Sequence, residues 1–336
     1  MIAPARAPRA ASDVKLLQIA GTRLSDHRYA DLPSLLAPGD LLVVNDAATL
    51  PAALAADAGG QAVEIRLAGE LHPSHTRAVL FGRGTWRERT EDRPAPPALG
   101  PGDAVRFVGG LGATVVEISP ISPRLVTLAF DRRGEALLAA IYAAGRPVQY
   151  SYLAASLPLW AVQTRFAARP WAVEAPSAGH PLAWETLLAL RARGVKLARL
   201  THAAGLSSTG DPVLDAALPL PERYDIPAET VRAVEAAGRV IAVGTTVVRA
   251  LEGAAARGAL VPGSGTTDLR LGPGSPLRVV DALLTGVHVP GESHYALLGA
   301  FVDELTLARA AEHAARSGYL SHEFGDAVLV SAHAPL

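Results

Sequence analysis

Short apolar runs alternate with helical stretches over two parts of the chain, and this pattern predicts strands joined by helices. Residues 41–44, LLVV, form one such run, which ends at Asn45 and Asp46. Residues 240–243, VIAV, form another and lead into a patterned helix over 247–258. Continuous apolar runs of this length are typical of strands that are buried on both faces of a parallel sheet. We therefore predict an α/β fold with a parallel-type sheet.

Between these two parts, from about residue 61 to residue 130, short β-rich runs are separated by glycine, proline and aspartate. This spacing predicts a small sheet or barrel. Strands and helices alternate again after Phe130, and one long helix is predicted over about residues 292–316. The predicted fold class is thus a larger α/β domain interrupted by an inserted small β-barrel. Its predicted boundaries are 1–55 and 140–336 for the discontinuous α/β domain and 56–139 for the barrel-like insertion.

The composition is that of a soluble globular protein, with 49% hydrophobic and 19% charged residues in 336. No apolar stretch reaches the roughly 18 to 20 residues that span a bilayer, and the N-terminus lacks the apolar core of a signal peptide. We therefore expect a cytoplasmic protein without a membrane part, and a monomer. Cysteine is absent and no HExxH or paired-ligand spacing occurs, so no metal site is predicted.

The charges nearly cancel, with 31 basic and 32 acidic residues and a net charge of −1. Nothing in this total attracts the protein to nucleic acid, although a local basic groove can exist within a neutral chain.

A strand-to-helix turn at Gly244, Thr245 and Thr246 is the first candidate binding site. Such a turn directs free backbone N–H groups and the positive end of a helix dipole at whatever lies above the strand ends. An anionic group such as a carboxylate would bind there. Arg249 and Glu252 follow, three residues apart, and either grip a zwitterion together or form an ordinary surface ion pair.

Two further segments carry polar groups at the ends of predicted elements. The small residues 175–179 allow backbone to approach a ligand closely, with Ser177 and His180 as polar groups; the alternative is a tight surface loop. The apolar run from Val279 ends at His288, which is either a general base near neutral pH or a satisfied structural residue.

Segments in the same order along most of the chain resemble the S-adenosylmethionine:tRNA ribosyltransferase-isomerase family of queuosine biosynthesis. VGTTVVRALE, within the stretch that starts at Val240, is the most specific of them. The resemblance implies an α/β domain interrupted by a small β-barrel, in agreement with the pattern above. The other matching segments are DLPSLLAPGDLLVVND, Gln163-Thr164, APSAG at 175–179, ERYDI at 222–226, VDALLTGVHVP and FGDAVLV.

This resemblance implies that S-adenosylmethionine is a cosubstrate that donates its ribosyl carbons. A base removes a proton from the 5′ carbon, which the sulfonium makes acidic, and adenine leaves. An amine-bearing deazaguanine on tRNA takes the sugar, which rearranges to an epoxycyclopentane as methionine departs. Such a site needs a base, a proton donor for adenine and a clamp for the methionine zwitterion.

The resemblance also selects positions for these roles. His288 is the leading candidate for the base, and Asp46 and Glu222 are further catalytic candidates. Asn45 and Asp46 are expected to hold the ribose or the acceptor. The expected cosubstrate-binding residues are Gly244, Thr245, Thr246, Arg249, Asn45, Pro176, Ser177, Ala178 and Gly179.

The chain departs from the family pattern at several of these segments. The family's NDTRVIPARL is NDAATLPAAL here, so Ala48 and Ala53 replace both arginines. The family's APTAGLHF reads APSAGHPL in this chain, and the family's HVGxGTF survives only as HAAGLSS, which starts at His202. Leu220 replaces the histidine of the family's MHSE segment. Missing arginines weaken the case for tRNA as partner, because phosphate contacts rely on Lys and Arg. Three readings stay open: the family reaction on tRNA, a paralogue that uses or cleaves S-adenosylmethionine with a small-molecule acceptor, and a catalytically silent binding protein.

Overall fold

A computed structural model of the chain describes residues 2–69, 71, 75–256 and 258–331. Strands and helices in these ranges are numbered along the chain. The strands are β1 (Ala3–Pro4), β2 (Lys15–Ala20), β3 (Arg23–Arg28), β4 (Asp40–Asn45), β5 (Ala47–Thr49), β6 (Ala53–Ala58), β7 (Gln61–Leu67), β8 (Thr76–Phe81), β9 (Ala104–Phe107), β10 (Gly112–Ile118), β11 (Leu125–Phe130), β12 (Arg169–Ala172), β13 (Lys196–His202), β14 (Glu222–Ile226), β15 (Arg239–Val243), β16 (Gly263–Thr267), β17 (Ala282–Gly286), β18 (Leu320–Ser321) and β19 (Ala327–Ser331). The α-helices are α1 (Leu32–Leu35), α2 (Gly134–Ala144), α3 (Trp184–Ala192), α4 (Pro212–Ala217), α5 (Ala228–Glu235), α6 (Thr245–Ala255), α7 (Ser293–Leu298) and α8 (Glu304–Arg316). The 3₁₀ helices are Ala11–Asp13, Tyr29–Asp31, Thr90–Asp92, Leu159–Val162 and Ser177–Gly179.

The main sheet contains nine strands within the described ranges, in the order β16-β14-β13-β4-β15-β17-β19-β2-β3. The central strands β13, β4, β15 and β17 are parallel to one another. Antiparallel strands extend the sheet on both sides of this centre. The prediction of an α/β fold with a parallel-type sheet is confirmed.

Helices cover both faces of the sheet, and β4 shows why its sequence is a continuous apolar run. Leu41 and Val43 pack into the core beneath α5, α6 and α8, whereas Leu42 and Val44 pack into the core shared with α1 and α3. Successive side chains of a strand point to opposite faces, so a strand covered on both faces needs apolar residues at every position. All six residues of β4 are buried.

A closed barrel formed by β10-β11-β8-β7-β6-β9, within the described residues, interrupts the α/β part. Its interior is apolar, and α2 contributes Leu137 and Ile141 to the same core. The predicted β-barrel is therefore present. Its strands run from Ala53 to Phe130 and α2 packs against it, so the domain boundaries at 56 and 139 stay a prediction.

The single long helix predicted over 292–316 is wrong. Helix α7 ends at Leu298 and α8 begins at Glu304. Asp303 caps α8 by accepting a hydrogen bond from the Thr306 N–H (2.7 Å), and such a cap fixes the start of a new helix. None of the helices in the described ranges combines the length and the apolar character needed to cross a bilayer.

Candidate active site

A cleft of about 490 Å³ lies where β13, β15 and β17 end, within the size range of small-molecule sites. In open α/β sheets, ligands bind at the carboxyl ends of the strands. Most of the predicted site residues line this cleft. They are Glu222, Gly244, Thr245, Thr246, Arg249, His288, Pro176, Ser177 and Ala178.

The turn at Gly244 forms part of the cleft surface and opens α6. Gly244 has φ +93° and ψ 151°, a conformation that is nearly restricted to glycine. Its N–H donates to the Leu284 carbonyl (2.8 Å), and a Cβ at this position would lie 3.3 Å from the Cβ of Ala178. The turn and the 175–179 segment, which the sequence indicated separately, are thus in contact.

Arg249 and Glu222 form a buried ion pair at the cleft. Nη2 of Arg249 donates to Oε2 of Glu222, and the Gly205 N–H donates to Oε1 (2.7 Å). Burial raises the pKa of Glu222, although Arg249 opposes this shift. His202 is fully buried with Nε2 3.4 Å from Oε2 of Glu222, and its pKa is well below the usual value because of burial and the nearby Arg249.

Glu252 does not join Arg249, so neither the zwitterion grip nor the surface ion pair describes these two residues. Both are buried. The carboxylate of Glu252 accepts from the backbone N–H groups of Arg278 (2.8 Å), Val279 (2.9 Å) and Val280 (2.9 Å). Residues three apart share a helix face, but the Glu252 carboxylate is engaged by these backbone N–H groups and the Arg249 guanidinium by Glu222. Glu252 anchors the segment before β17.

Asn45 lies beneath the cleft and does not line it. Its Nδ2 donates to the His202 carbonyl (2.9 Å) and to Oγ1 of Thr246 (3.3 Å), and its Oδ1 accepts from the N–H groups of Ala47 (3.0 Å) and His202 (2.9 Å). These four bonds occupy the donors and acceptors of the amide. Asn45 therefore links β4 to β13 and α6, which explains its place in the sequence without a ligand.

Asp46, Gly179 and His180 also lie off the cleft surface. Asp46 is buried and accepts from Oγ1 of Thr201 (2.5 Å). Gly179 packs against Thr164, and the His180 ring lies 5.3 Å from that of Phe324. These residues support the elements around the cleft.

His288 follows the end of β17, two residues beyond Gly286, and its ring stacks on that of His294 with 5.1 Å between centroids. Nε2 of His288 lies 2.9 Å from Oγ1 of Thr285, and Nδ1 lies 4.0 Å from Oε2 of Glu292. Burial lowers the pKa of His288 well below its usual value and that of His294 to about 4. Both rings are therefore neutral at pH 7, the state in which an imidazole accepts a proton.

Sequence reasoning missed a second group of cleft residues, namely Tyr150, Tyr152, Glu174, His322 and Glu323. The available signal was position, because Glu174 and Glu323 directly precede the APSAG and FGDAVLV segments. No cluster of three or more side chains suited to a metal ion occurs among the described residues.

Fold and site together define a class of protein: an α/β protein with an inserted β-barrel and a small-molecule cleft at its strand ends. The family described as queuosine biosynthesis protein matches residues 2–330, and the chain belongs to this family. The resemblance noted in the sequence is confirmed.

Relatives cover nearly the whole chain. One from Acidiphilium cryptum, named S-adenosylmethionine:tRNA ribosyltransferase-isomerase, is 36% identical over 97% of this chain and 94% of its own. Proteins of the same name from Acidithiobacillus ferrooxidans (39% identical, 90% and 86% covered) and Thermus thermophilus (37%, 92% and 89%) are also similar. The crystal structure of an S-adenosylmethionine tRNA ribosyltransferase from Thermotoga maritima has a TM-score of 0.53 and 24% identity, with 97% of this chain and 95% of that chain covered. That likeness supports the fold.

Proposed function

We propose that this protein transfers and isomerises the ribosyl group of S-adenosylmethionine on tRNA. The reaction would convert 7-aminomethyl-7-deazaguanine in tRNA to epoxyqueuosine and release adenine and methionine. One observation carries the proposal: a single cleft joins a helix N-terminus, a buried arginine and a neutral histidine. The name shared by the relatives supports it.

The anion-binding part of the cosubstrate site is assigned to the start of α6 and to Arg249. The first N–H groups of a helix lack partners within that helix and attract carboxylates. Arg249 lines the cleft and has five N–H donors, and the hydrogen bond to Glu222 is made through Nη2. The guanidinium can therefore hold Glu222 and the methionine carboxylate together. In this scheme Glu222 positions Arg249.

His288 is the proposed base for the proton on the 5′ carbon. If its Nε2–H donates to Thr285, the lone pair of Nδ1 is free to take that proton. The C–H electrons form a C4′–C5′ double bond as the C4′–O4′ bond opens, and the electrons of that bond form the C1′ carbonyl. The C1′–N bond then breaks with its electrons going to adenine, which takes a proton from the His288 imidazolium. Glu292, 4.0 Å from Nδ1, would stabilise the imidazolium that forms.

A tRNA acceptor is supported by a smaller cavity of about 160 Å³ that shares Gly205 and Glu222 with the cleft. Arg77, Arg223 and Trp171 line it, and the Arg223 guanidinium lies 3.5 Å from the Trp171 ring centroid. Arginine planes and aromatic rings bind unstacked RNA bases, and arginine contacts phosphate. Two arginines at one cavity favour a tRNA contact despite the net charge of −1. A cytoplasmic location fits a tRNA substrate and, like the monomeric state, stays a prediction.

The test is mass spectrometry of adenine and methionine released from S-adenosylmethionine by the purified protein, with and without tRNA that carries 7-aminomethyl-7-deazaguanine. We expect release that depends on this tRNA and that falls at least about 100-fold in His288→Gln, since general bases contribute that much or more. His27→Gln, at a half-buried histidine on β3 that does not line the cleft, is the matched control and should keep full activity. Release without tRNA would instead indicate a small-molecule acceptor, and no release under either condition would contradict the proposal.

A further inference from the structure

Five cleft residues that the scheme above does not use form an acid–aromatic wall, defined as Tyr150, Tyr152, His322, Glu174 and Glu323. The rings of Tyr150 and Tyr152 are stacked at 6.0 Å between centroids, and those of Tyr152 and His322 at 4.3 Å. The interplanar angles are 19° and 11°, so the three rings are close to parallel.

Each tyrosine of the wall holds a carboxyl group. Tyr150 donates to Oε1 of Glu174, which also accepts from the Ser207 N–H (3.0 Å), and Tyr152 donates to Oε2 of Glu323. A carboxylate offers about four acceptor positions, so both keep capacity for a ligand. The tyrosines orient the carboxyl groups, and all five residues face the same cleft.

The backbone at His322 places its ring at the end of the stack. His322 has φ +66°, a left-handed conformation that is uncommon outside glycine and is concentrated at functional sites. Its ring remains partly exposed and lines the cleft. A flat ligand that entered the cleft could continue the stack on this ring.

Parallel rings beside acceptor groups recognise a flat heterocycle with several N–H donors. Of the two bases in the proposed reaction, adenine presents an amino group next to the acceptor N1. The deazaguanine presents adjacent N1–H and N2–H₂ donors and a cationic aminomethyl group, and all of these suit carboxylates.

We infer that the acid–aromatic wall binds the acceptor base, with its ring stacked on His322 and its donors on Glu174 and Glu323. This inference rests on the proposed function and divides the cleft between an acceptor-base part and the cosubstrate part at Gly244 and Arg249. Burial raises the pKa of both carboxyl groups, and a bound ammonium group would favour their ionised forms.

The experiment is calorimetric titration of the full chain with free 7-aminomethyl-7-deazaguanine and, separately, with S-adenosylmethionine. We expect Glu323→Gln and Glu174→Gln each to weaken binding of the base roughly tenfold or more, because charge-assisted hydrogen bonds are lost. Binding of S-adenosylmethionine should change less than about twofold, which also shows that the variants are folded. Glu312→Gln, an exposed glutamate on α8, is the matched control for both ligands.

Three outcomes would overturn the inference: no binding of the base to the unaltered protein, base binding that the two variants do not weaken, or an equal loss of S-adenosylmethionine binding. A loss confined to S-adenosylmethionine would mean that the wall holds adenine. If the unaltered protein bound the base through Glu323 but did not bind S-adenosylmethionine, the proposed function would fail and the base site would stand.

Discussion

The two sides of the cleft are built from different kinds of structure. The turn side, defined as Gly244, Arg249 and Glu222, lies on or directly at the ends of β14, β15 and α6. The acid–aromatic wall lies mainly in connections: Tyr150 and Tyr152 between α2 and β12, and the other three residues just after β12 or the two-residue strand β18. Backbone geometry therefore positions the turn side, whereas hydrogen bonds and ring stacking between side chains position the wall.

This difference predicts that removing a carboxylate from the turn side and removing one from the wall lower the free energy of unfolding by different amounts. Glu222→Ala leaves the Arg249 guanidinium buried without its partner, so we expect a loss of about 3 to 5 kcal/mol in the free energy of unfolding. Glu323→Ala removes the acceptor of one tyrosine and should cost about 1 to 3 kcal/mol. Urea denaturation of both variants measures the difference.

The double variant Glu222→Leu/Arg249→Met is the control for the first substitution, because it removes both charges and keeps the volume. It should recover much of the loss. If Glu323→Ala and Glu222→Ala lost the same free energy of unfolding, the wall would contribute as much to stability as the turn side.

The contrast between the two sides also marks the limit of sequence reasoning. Strands β4 and β15 and the turn at Gly244 were predicted correctly because apolar runs and a glycine before a helix are local signals. The Arg249–Glu222 pair joins residues 27 positions apart, and the Tyr152–Glu323 bond joins residues 171 apart. No local pattern encodes such pairs, since tertiary packing brings them together.

Two further predictions differ from the arrangement in the structure. The family resemblance selected Asn45 to hold the ribose or the acceptor, whereas in the structure its amide bonds β13 and α6 beneath the cleft. The break before α8 was readable from Asp303 followed by Thr306, a pairing typical of a helix start.

Acid should weaken both sides of the cleft through two half-buried histidines. Burial lowers the pKa values of His294, at the cleft, and His180, which packs behind the wall on Phe324, to about 4. The unfolded chain, with histidine pKa near 6.5, binds more protons than the folded chain below that pH, so stability rises with pH there. Each histidine should lower the free energy of unfolding at pH 5 by about 2 kcal/mol relative to pH 7.

Three cleft glutamates act in the opposite sense, because their raised pKa values favour the protonated folded state as pH falls. They are Glu174, Glu222 and Glu323. The histidine contribution is therefore isolated by comparing urea denaturation of His180→Gln and His294→Gln with the unaltered protein at pH 5 and pH 7. Each variant should lose about 2 kcal/mol less of the free energy of unfolding on acidification, whereas the control His27→Gln should match the unaltered protein. Equal losses in all four proteins would contradict the assignment.

Substitution of Gly244 tests whether backbone conformation or contact defines the turn side. Gly244→Ala forces a side chain into a conformation nearly restricted to glycine and places its Cβ 3.3 Å from that of Ala178, so we expect a loss of about 1 to 3 kcal/mol in stability. Gly274, with φ +78° and no atom within 4 Å of the position that a Cβ would take, is the matched control. Gly274→Ala carries only the cost of its positive φ.

Similar losses of stability in the two variants would mean that backbone conformation alone restricts position 244. A larger loss in Gly244→Ala, accompanied by weaker binding of S-adenosylmethionine, would show that the packing of the turn on the 175–179 segment sets the geometry of the anion-binding N–H groups.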